Sequence, residues 1–258
     1  MDRKIENRFL GERIDISYEQ VKEFFGKRVS EKKKNDLNYV LYLDNTPEVA
    51  IERDRVEKEK LKSVVDIASG TRVLDVGCGI ARWGEFFLKK GAYYVGVDAT
   101  EGMINIAERG LSCYQTKKLI VGDIQRLNSL LNANNEGQKF DIVFVNGVFM
   151  YLNDDDCLEV MKQISSCVNF NGKVIINESM AEEERLTLNN FYSEDLSQSY
   201  SAIYRTVSEY RACMDLAFSD KFVLEEFFVW NFEDGIQKKR KNVTLEHMAI
   251  WKNECHSV

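Results

Sequence analysis

The stretch RVLDVGCGIARWGEFF, residues 72–87, decides the fold class. Its apolar run, residues 73–76, reads as a short buried strand, and residues 83–90 read as a helix. Gly77 and Gly79 lie at the junction. Because glycine lacks Cβ, the backbone can turn sharply there and approach a ligand, while the helix N-terminus offers free N–H donors. The junction therefore predicts a ligand-binding loop, although a glycine-rich loop alone also fits a plain tight turn.

Strands and helices continue to alternate along the chain. The predicted strands are residues 93–97, 119–121, 141–145 and 173–176, and the helices between them include residues 102–109 and 157–168. This alternation indicates a parallel sheet with right-handed crossovers. Residues 222–230 and 243–251 read as a closing antiparallel pair. We therefore predict an α/β fold with a doubly wound, mostly parallel seven-stranded sheet and an antiparallel C-terminal strand.

The regions around this core differ from it in composition. Residues 1–65 are charged and predict a helical N-terminal lid, and residues 66–180 form the cofactor-binding core. Residues 181–215 predict a polar, aromatic, helical insert on the substrate side, followed by closing strands over residues 216–258. We expect all four regions to form one domain, because 258 residues are too few for two full domains.

Charge and cysteine content argue against several classes of protein. The net charge of −7 opposes binding to a nucleic-acid backbone. No apolar stretch approaches the ~18 residues of a membrane span, and the first residues contain no apolar signal region. The six cysteines form no CxxC pair, which is typical of reduced thiols and argues against a disulfide scaffold or zinc site. We therefore expect a soluble cytoplasmic protein with neither nucleic-acid nor membrane partners.

Acidic residues lie at the ends of the first predicted strands. Asp98 ends the second strand, where it can accept hydrogen bonds from both ribose hydroxyls of an adenosine. Asp123 ends the third, where its carboxylate and the next backbone N–H can meet an adenine edge. A dinucleotide fingerprint requires glycine where this chain has Arg82, and Asp75 would repel a pyrophosphate. S-adenosylmethionine fits better, because its ammonium and sulfonium are cationic and its ribose hydroxyls are free.

Four segments, VLDVGCGIARWG, GVDAT, GDIQ and FDIVFVNGVFMYL, resemble in order and spacing the motifs of class I S-adenosylmethionine-dependent methyltransferases. The resemblance covers about residues 70–180, with Ala81 where the family often has a third glycine. It implies S-adenosylmethionine as the cofactor. The residues that it implies around the cofactor are Asp75, Gly77, Cys78, Gly79, Trp83, Asp98, Ala99, Thr100, Met103, Asp123, Ile124, Asn146 and Gly147. Trp83 and Met103 also fit as core residues.

A looser resemblance concerns the acceptor. The segments NYVLYLDNTPEVAIERDRVEKEKL and NESM…YSAIYRTVSEY are similar to those of a small-molecule branch that methylates sugars and natural products. It implies a lid that brings Tyr39 or Tyr42 near the sulfonium, although both also fit as lid core. Arg53 and Arg55 fit either a contact to the methionine carboxylate or a solvated helix face. The fourth strand ends in NGVF, without the Asn/Asp-Pro-Pro-aromatic sequence of enzymes that methylate base or amide nitrogens.

Candidate catalytic residues follow from the reaction. A sugar hydroxyl usually gains ~10²–10⁴-fold in rate from a general base. Glu178 is the candidate base because it ends the fifth predicted strand, although it also fits as a structural acid. Tyr204 and Arg205 are candidates for orienting the acceptor, and Tyr151 and Trp230 for its wall.

No metal is predicted. Three consecutive acids, residues 154–156, cannot all face one ion, and they precede a helix whose dipole suits acids. We predict O-methylation of a small polar acceptor, a sugar or activated sugar. N-methylation of an amino sugar or small amine, and a noncatalytic cofactor-binding subunit, stay open. A homodimer stays open as well.

Overall fold

The structure, a computed structural model, describes residues 7–41, 46–229 and 244–254. The strands are β1 (Arg8–Leu10), β2 (Arg72–Val76), β3 (Tyr93–Asp98), β4 (Lys117–Val121), β5 (Phe140–Asn146), β6 (Val168–Ala181), β7 (Leu186–Ser193), β8 (Gln198–Tyr204), β9 (Phe222–Val229) and β10 (Thr244–Asn253). The α-helices are α1 (Tyr18–Ser30), α2 (Asn38–Leu41), α3 (Pro47–Val64), α4 (Gly84–Leu88), α5 (Glu101–Gly110), α6 (Leu127–Ala133), α7 (Asp154–Ser166) and α8 (Val207–Phe218).

The larger sheet confirms the predicted fold class. Its seven strands have the order β4-β3-β2-β5-β6-β10-β9. Strands β2 to β6 pair in parallel, whereas β10 runs antiparallel to both β6 and β9. The strand order reverses at β2, which lies between β3 and β5. In such sheets a ligand binds outside the carboxyl ends of the strands at this reversal.

Burial on both faces explains the apolar strands. In β2, Leu74 and Val76 point into the cluster that contains Val160 of α7, whereas Val73 points into the opposite cluster with Phe87 of α4. Successive side chains of a strand alternate between faces, so a strand covered on both faces reads as one apolar run. The predicted N-terminal helices are present as α1, α2 and α3. Within the described ranges, no helix is long and apolar enough to cross a membrane.

The prediction of a helical insert is wrong for its first half. Residues 186–204 form the antiparallel strands β7 and β8, and the helix begins only at Val207. β1 pairs with β7 to complete a three-stranded sheet, which we call the cap sheet. The residues of β7 and β8 are rich in aromatic and β-branched types, which favour strands. Asn190, with φ +56°, lies at an irregularity in the pairing and interrupts the alternation that identifies a strand.

Candidate active site

A cavity of about 710 Å³ lies where β2, β3 and β5 end. This volume is typical of small-molecule sites. The residues predicted around the cofactor that line it are Asp75, Gly77, Cys78, Gly79, Trp83, Asp98, Ala99, Thr100, Met103, Asp123, Ile124, Asn146 and Gly147. Tyr42 and Trp230 lie outside the described residues. The structure thus brings together every described member of the predicted cofactor set, in a part of the cavity that we call the cradle.

The loop after β2 has a backbone that favours glycine. Gly77 and Gly79 have φ values of +71° and +54°, in the left-handed region. A Cβ on Gly77 would lie 2.5 Å from Cγ2 of Val148, so the loop and the segment after β5 pack in direct contact. Ala81, at the position where the family often has glycine, also has a left-handed φ of +54°. The loop keeps its shape there although the alanine Cβ adds strain.

The carboxylate of Asp98 is held by backbone donors. Its Oδ2 accepts a hydrogen bond from the N–H of Gly79 at 2.9 Å, and its Oδ1 accepts one from Thr100 at 2.8 Å. A carboxylate has about four acceptor positions, so each oxygen can accept another hydrogen bond from a ligand. Burial raises the pKa of Asp98 above its usual value. Asp98 is therefore pre-oriented for a donor such as a ribose hydroxyl.

Asp75 is the buried acid of the cradle. Its Oδ2 accepts a hydrogen bond from the Tyr94 hydroxyl at 2.7 Å, and the residue is only 2% exposed. Burial raises the pKa of Asp75 to about 7, while the Tyr94 bond and the nearby Arg82 oppose the shift. This carboxyl group therefore titrates near neutral pH, and a bound cation would favour its ionised form.

Side chains from the lid complete the cradle. Arg82 donates to Asp54 at 2.9 Å and to Glu57 at 2.6 Å, both on α3. Arg53, which lines the cavity, donates to the same Glu57 and to Glu246 of β10. These buried ion pairs tie α3 to the glycine loop and to the sheet.

Three aromatic or apolar candidates pack as core residues. Trp83 lies 4.9 Å, ring to ring, from Phe144 and also lines the cavity. Met103 is 1% exposed and belongs to an apolar cluster against which Tyr39 packs. Tyr39 is therefore part of the lid core, as one of its two interpretations predicts, whereas Trp83 and Met103 combine a core position with a place in the cavity wall.

The cavity extends beyond the cradle into a part that we call the chamber. Its walls come from α1, from the segment after β5 and from the cap sheet, and its aromatic lining residues are Tyr18, Phe25, Tyr151, Phe191, Tyr200 and Tyr204. Tyr151 and Tyr204 were predicted to lie here. The sequence analysis misses Phe191 and Tyr200 because it predicts a helical insert where β7 and β8 lie, and the alternation of their side chains is the signal that identifies them.

Glu178 does not reach the chamber, which corrects its prediction as a catalytic base. Ser179 lines the cavity, and Glu178, one residue earlier in β6, points to the other face of the strand. Its Oε1 accepts hydrogen bonds from the N–H groups of Val148 and Phe149 at 2.7 and 2.9 Å. Burial raises the pKa of Glu178 to about 7, against these two hydrogen bonds.

Arg205 is also buried away from the chamber, which corrects its prediction as an acceptor-orienting residue. Its guanidinium donates to Asp154 at 2.6 and 2.8 Å. The same group donates to the carbonyl oxygens of Phe149 and Leu152 at 2.9 and 2.8 Å. Since Arg205 is 3% exposed and its donors face these groups, it holds protein rather than substrate. Asp154 begins α7, three residues before the predicted start of that helix, and pairs in addition with Arg185 at 2.9 Å.

The fold and the site define a doubly wound α/β protein whose cradle suits a cationic nucleoside. The family described as "Methyltransferase domain" matches residues 67–249. The chain belongs to this family, which confirms the family resemblance, and S-adenosylmethionine is the methyl donor that the family uses.

Two curated relatives are similar to half of the chain. Phosphoethanolamine N-methyltransferase 3 of Arabidopsis thaliana is 27% identical over 130 residues, which cover 50% of this chain and 26% of the plant protein. Demethylmenaquinone methyltransferase of Bacillus cereus is 27% identical over 137 residues, 51% of this chain and 54% of that protein. The matches thus span about a quarter of the plant relative and about half of the bacterial one.

Solved structures show the same fold at low identity. Phosphoethanolamine N-methyltransferase 1 of Haemonchus contortus, in complex with phosphoethanolamine and S-adenosylhomocysteine, has a TM-score of 0.65 and 17% identity. That match covers 93% of this chain and 50% of the other. The N-methyltransferase NodS of Bradyrhizobium japonicum, with S-adenosylhomocysteine, has a TM-score of 0.59 and 12% identity, over 91% of this chain and 98% of the other.

Proposed function

We propose that this chain transfers a methyl group from S-adenosylmethionine to a small polar acceptor, and that the accepting atom is an amine nitrogen. The observation that carries the choice of nitrogen is the make-up of the chamber. Its walls are rich in aromatic side chains, none of the described residues that line it is a histidine, and its carboxylates are Glu246 and the exposed Asp195. The predicted base, Glu178, is buried outside it.

The cradle supports S-adenosylmethionine as the donor. Asp98 would bind the ribose hydroxyls, and Asp123 and Ile124 would meet the adenine edge. The backbone from Gly77 to Gly79 would lie against the methionyl and ribose portion, with Asn146 and Gly147 near the methionyl amine. When bound, the cofactor supplies an electrophilic methyl group on a sulfonium. The carboxylates around the cradle suit its cationic groups better than they would suit a phosphate.

Two features of the chamber favour an amine as the acceptor: the shortage of groups that could act as a base, and the aromatic walls. An ammonium acceptor must first give one proton to solvent, after which the neutral amine has a lone pair for the methyl group and needs no further base, whereas a hydroxyl usually requires one. Glu246, a carboxylate in the cavity wall, is paired with Arg53 at 2.9 Å and accepts a hydrogen bond from Ser179 at 2.8 Å. It is therefore already committed to protein partners. Aromatic faces attract an ammonium group by about 0.5–2 kcal/mol, which favours an amine and its cationic methylated product.

The relatives support nitrogen over a sugar hydroxyl. The Arabidopsis relative and NodS are both named N-methyltransferases. The looser resemblance predicts a sugar hydroxyl, which needs a base, and the candidate base, Glu178, does not reach the chamber. Holding the amine, the methyl group and the sulfur in line then supplies much of the rate, since orientation can lower a barrier by about 7–11 kcal/mol. A cytoplasmic location stays a prediction, and a homodimer stays open.

Matched acceptors test the proposal directly. The full chain is incubated with methyl-labelled S-adenosylmethionine and pairs that differ only in the nucleophile: glucosamine with glucose, and phosphoethanolamine with 2-hydroxyethyl phosphate. Label on an amine and none on its hydroxyl partner is the expected result. Label on the hydroxyl member alone would overturn the choice of nitrogen. Binding of S-adenosylhomocysteine without transfer to any amine of a wider panel would favour the noncatalytic subunit.

A further inference from the structure

The segment Gly147–Leu152, which we call the wall segment, borders both halves of the cavity. Gly147 and Val148 face the cradle, and Val148 packs directly on Gly77. Met150, Tyr151 and Leu152 line the chamber. Tyr151 also contacts Phe25 of α1, with 5.1 Å between ring centroids. A shift of this one segment therefore changes the space for donor and acceptor together.

The wall segment has few hydrogen bonds of its own. It contains a single short turn, in which Tyr151 donates to Val148 and Leu152 donates to Phe149. A turn this short leaves backbone N–H groups at its start and carbonyl groups at its end without helical partners. Because unpaired buried backbone groups are costly, side chains from elsewhere must satisfy them.

Glu178 and Arg205 supply those partners from opposite directions. One carboxylate oxygen of Glu178 accepts both N–H groups at the start of the turn, from Val148 and Phe149. The guanidinium of Arg205 donates to the carbonyl groups of Phe149 and Leu152. Phe149 is thus held at its N–H by one side chain and at its carbonyl by the other.

Both side chains also connect the wall segment to other parts of the cavity. Glu178 precedes Ser179, and Arg205 follows Tyr204, and both Ser179 and Tyr204 line the cavity. Asp154 fixes the guanidinium of Arg205 through its Oδ1. The two charged residues therefore join the wall segment to the sheet on one side and to the cap sheet on the other.

We infer that Glu178 and Arg205 are positioning residues for methyl transfer, which act by fixing the wall segment between donor and acceptor. This inference rests on the proposed function, since it assigns the segment to the walls of both sites. Two ionisable side chains are an expensive way to fill a buried space, because each must leave water to be buried. Apolar side chains, however, would leave the N–H groups of Val148 and Phe149 and the carbonyl of Leu152 unpaired.

Hydrogen exchange tests the inference without an acceptor. The variants Glu178→Ala, Glu178→Gln and Arg205→Lys are compared by the exchange of individual amides, and S-adenosylhomocysteine binding is measured by calorimetry. In Glu178→Ala we expect exchange of the Val148 and Phe149 amides to accelerate at least ~10-fold, and affinity for S-adenosylhomocysteine to fall ~3–10-fold. Glu178→Gln should restore both, because its carbonyl oxygen still accepts the two N–H groups.

Glu136→Ala is the matched control. Glu136 is another buried acid, paired with Arg72 at 2.8 Å, and it lies outside the cavity lining. We expect Glu136→Ala to lower stability. In this variant the Val148 and Phe149 amides should accelerate in exchange no more than the amides of the sheet as a whole. Arg205→Lys keeps the charge but loses the planar guanidinium and its array of donors. This variant still tests the inference if Glu178→Ala fails to fold. We expect it to accelerate exchange of the Tyr151 and Leu152 amides, whose turn depends on the Phe149 position.

The outcomes separate this inference from the proposed function. Unchanged exchange in a folded Glu178→Ala or Arg205→Lys variant would overturn the positioning role. The same would follow if Glu136→Ala weakened S-adenosylhomocysteine binding as much as Glu178→Ala. If the unmodified chain does not bind S-adenosylhomocysteine, the proposed function fails and the positioning role fails with it, even when the amides behave as expected. Binding with locally faster exchange supports both.

Discussion

The carboxylate of Asp98 and the backbone of Gly79 are joined by a hydrogen bond of 2.9 Å between Gly79 N and Asp98 Oδ2. This bond ties the end of β3 to the glycine loop that follows β2. Since a second backbone N–H, from Thr100, holds the other oxygen, the carboxylate has its orientation before any ligand binds. A pre-oriented group loses little freedom on binding, so more of its interaction energy becomes affinity.

We expect Asp98→Ala to lower the affinity for S-adenosylhomocysteine at least ~100-fold. Hydrogen bonds from two ribose hydroxyls to a charged group contribute about 1.5–3 kcal/mol each. Calorimetry measures the loss. Asp141→Ala is the control, because Asp141 also accepts a backbone N–H, from Arg72 at 2.9 Å, but near the start of β5. Equal losses in the two variants would contradict the assigned role of Asp98.

The cradle could be predicted from sequence because its residues are local. Glycines and acids at strand ends identify themselves by position, and parallel pairing then brings those ends together. The chamber could be predicted only in part, at Tyr151 and Tyr204, because its walls come from segments distant in the chain. Glu178 shows the limit: the sequence predicts it at the end of the fifth strand, but β6 continues to Ala181, and the face that Glu178 occupies depends on the phase of the strand. In β6, Ser179 faces the cavity and Glu178 does not.

Tyr200→Ala should weaken binding of the amine acceptor while leaving S-adenosylhomocysteine affinity unchanged. Tyr200 lines the chamber and lies within 5.9 and 6.3 Å, ring to ring, of Phe24 and Phe191. Loss of one aromatic face should weaken the binding of an ammonium group by about 0.5–2 kcal/mol, so the KM for the amine should rise ~2–30-fold. Steady-state kinetics measures the change, with the amine that the matched-acceptor assay shows to be methylated. Tyr192→Ala, at an exposed position on β7, should leave KM unchanged, and an equal effect of both would argue against an aromatic amine site.

Stability should depend on pH through Glu178. Its pKa is about 7 in the folded chain, against an ordinary value of 4.5 when unfolded, so between these values the folded state binds more protons. The contribution of Glu178 is then fully present below about pH 4.5 and is lost as the pH rises through about 7. A shift of this size corresponds to about 3 kcal/mol.

Other groups also titrate in this pH range. The test therefore uses the difference in free energy of unfolding between the unmodified chain and a Glu178 variant. Burial gives Asp75 a pKa of about 7 as well, and its effect has the same sign. Urea unfolding of the unmodified chain and of Glu178→Gln, at several pH values from 4.5 to 8, isolates the Glu178 contribution. The unmodified chain should lose stability relative to the variant as the pH rises. A difference that stays constant over this range would show that Glu178 does not titrate there.

Gly77→Ala should destabilise the fold more than Gly70→Ala, because only the first creates a collision. Both glycines have left-handed φ values, +71° and +85°, which cost alanine about 1–2 kcal/mol. A Cβ at Gly77 would lie 2.5 Å from Cγ2 of Val148, whereas a Cβ at Gly70 would meet no atom within 4 Å. Urea unfolding of both variants measures the excess cost. The collision should also displace the wall segment and weaken S-adenosylhomocysteine binding.

The double variant Gly77→Ala/Val148→Ala tests the cause of that excess. Val148→Ala removes both Cγ atoms that approach Gly77, so it should recover part of the stability lost in Gly77→Ala, although it loses stability in the unmodified chain by opening a small cavity. The two substitutions should therefore be non-additive, with a coupling of about 0.5–3 kcal/mol. Strict additivity would mean that left-handed strain alone accounts for the cost, and that the glycine loop does not depend on the position of the wall segment.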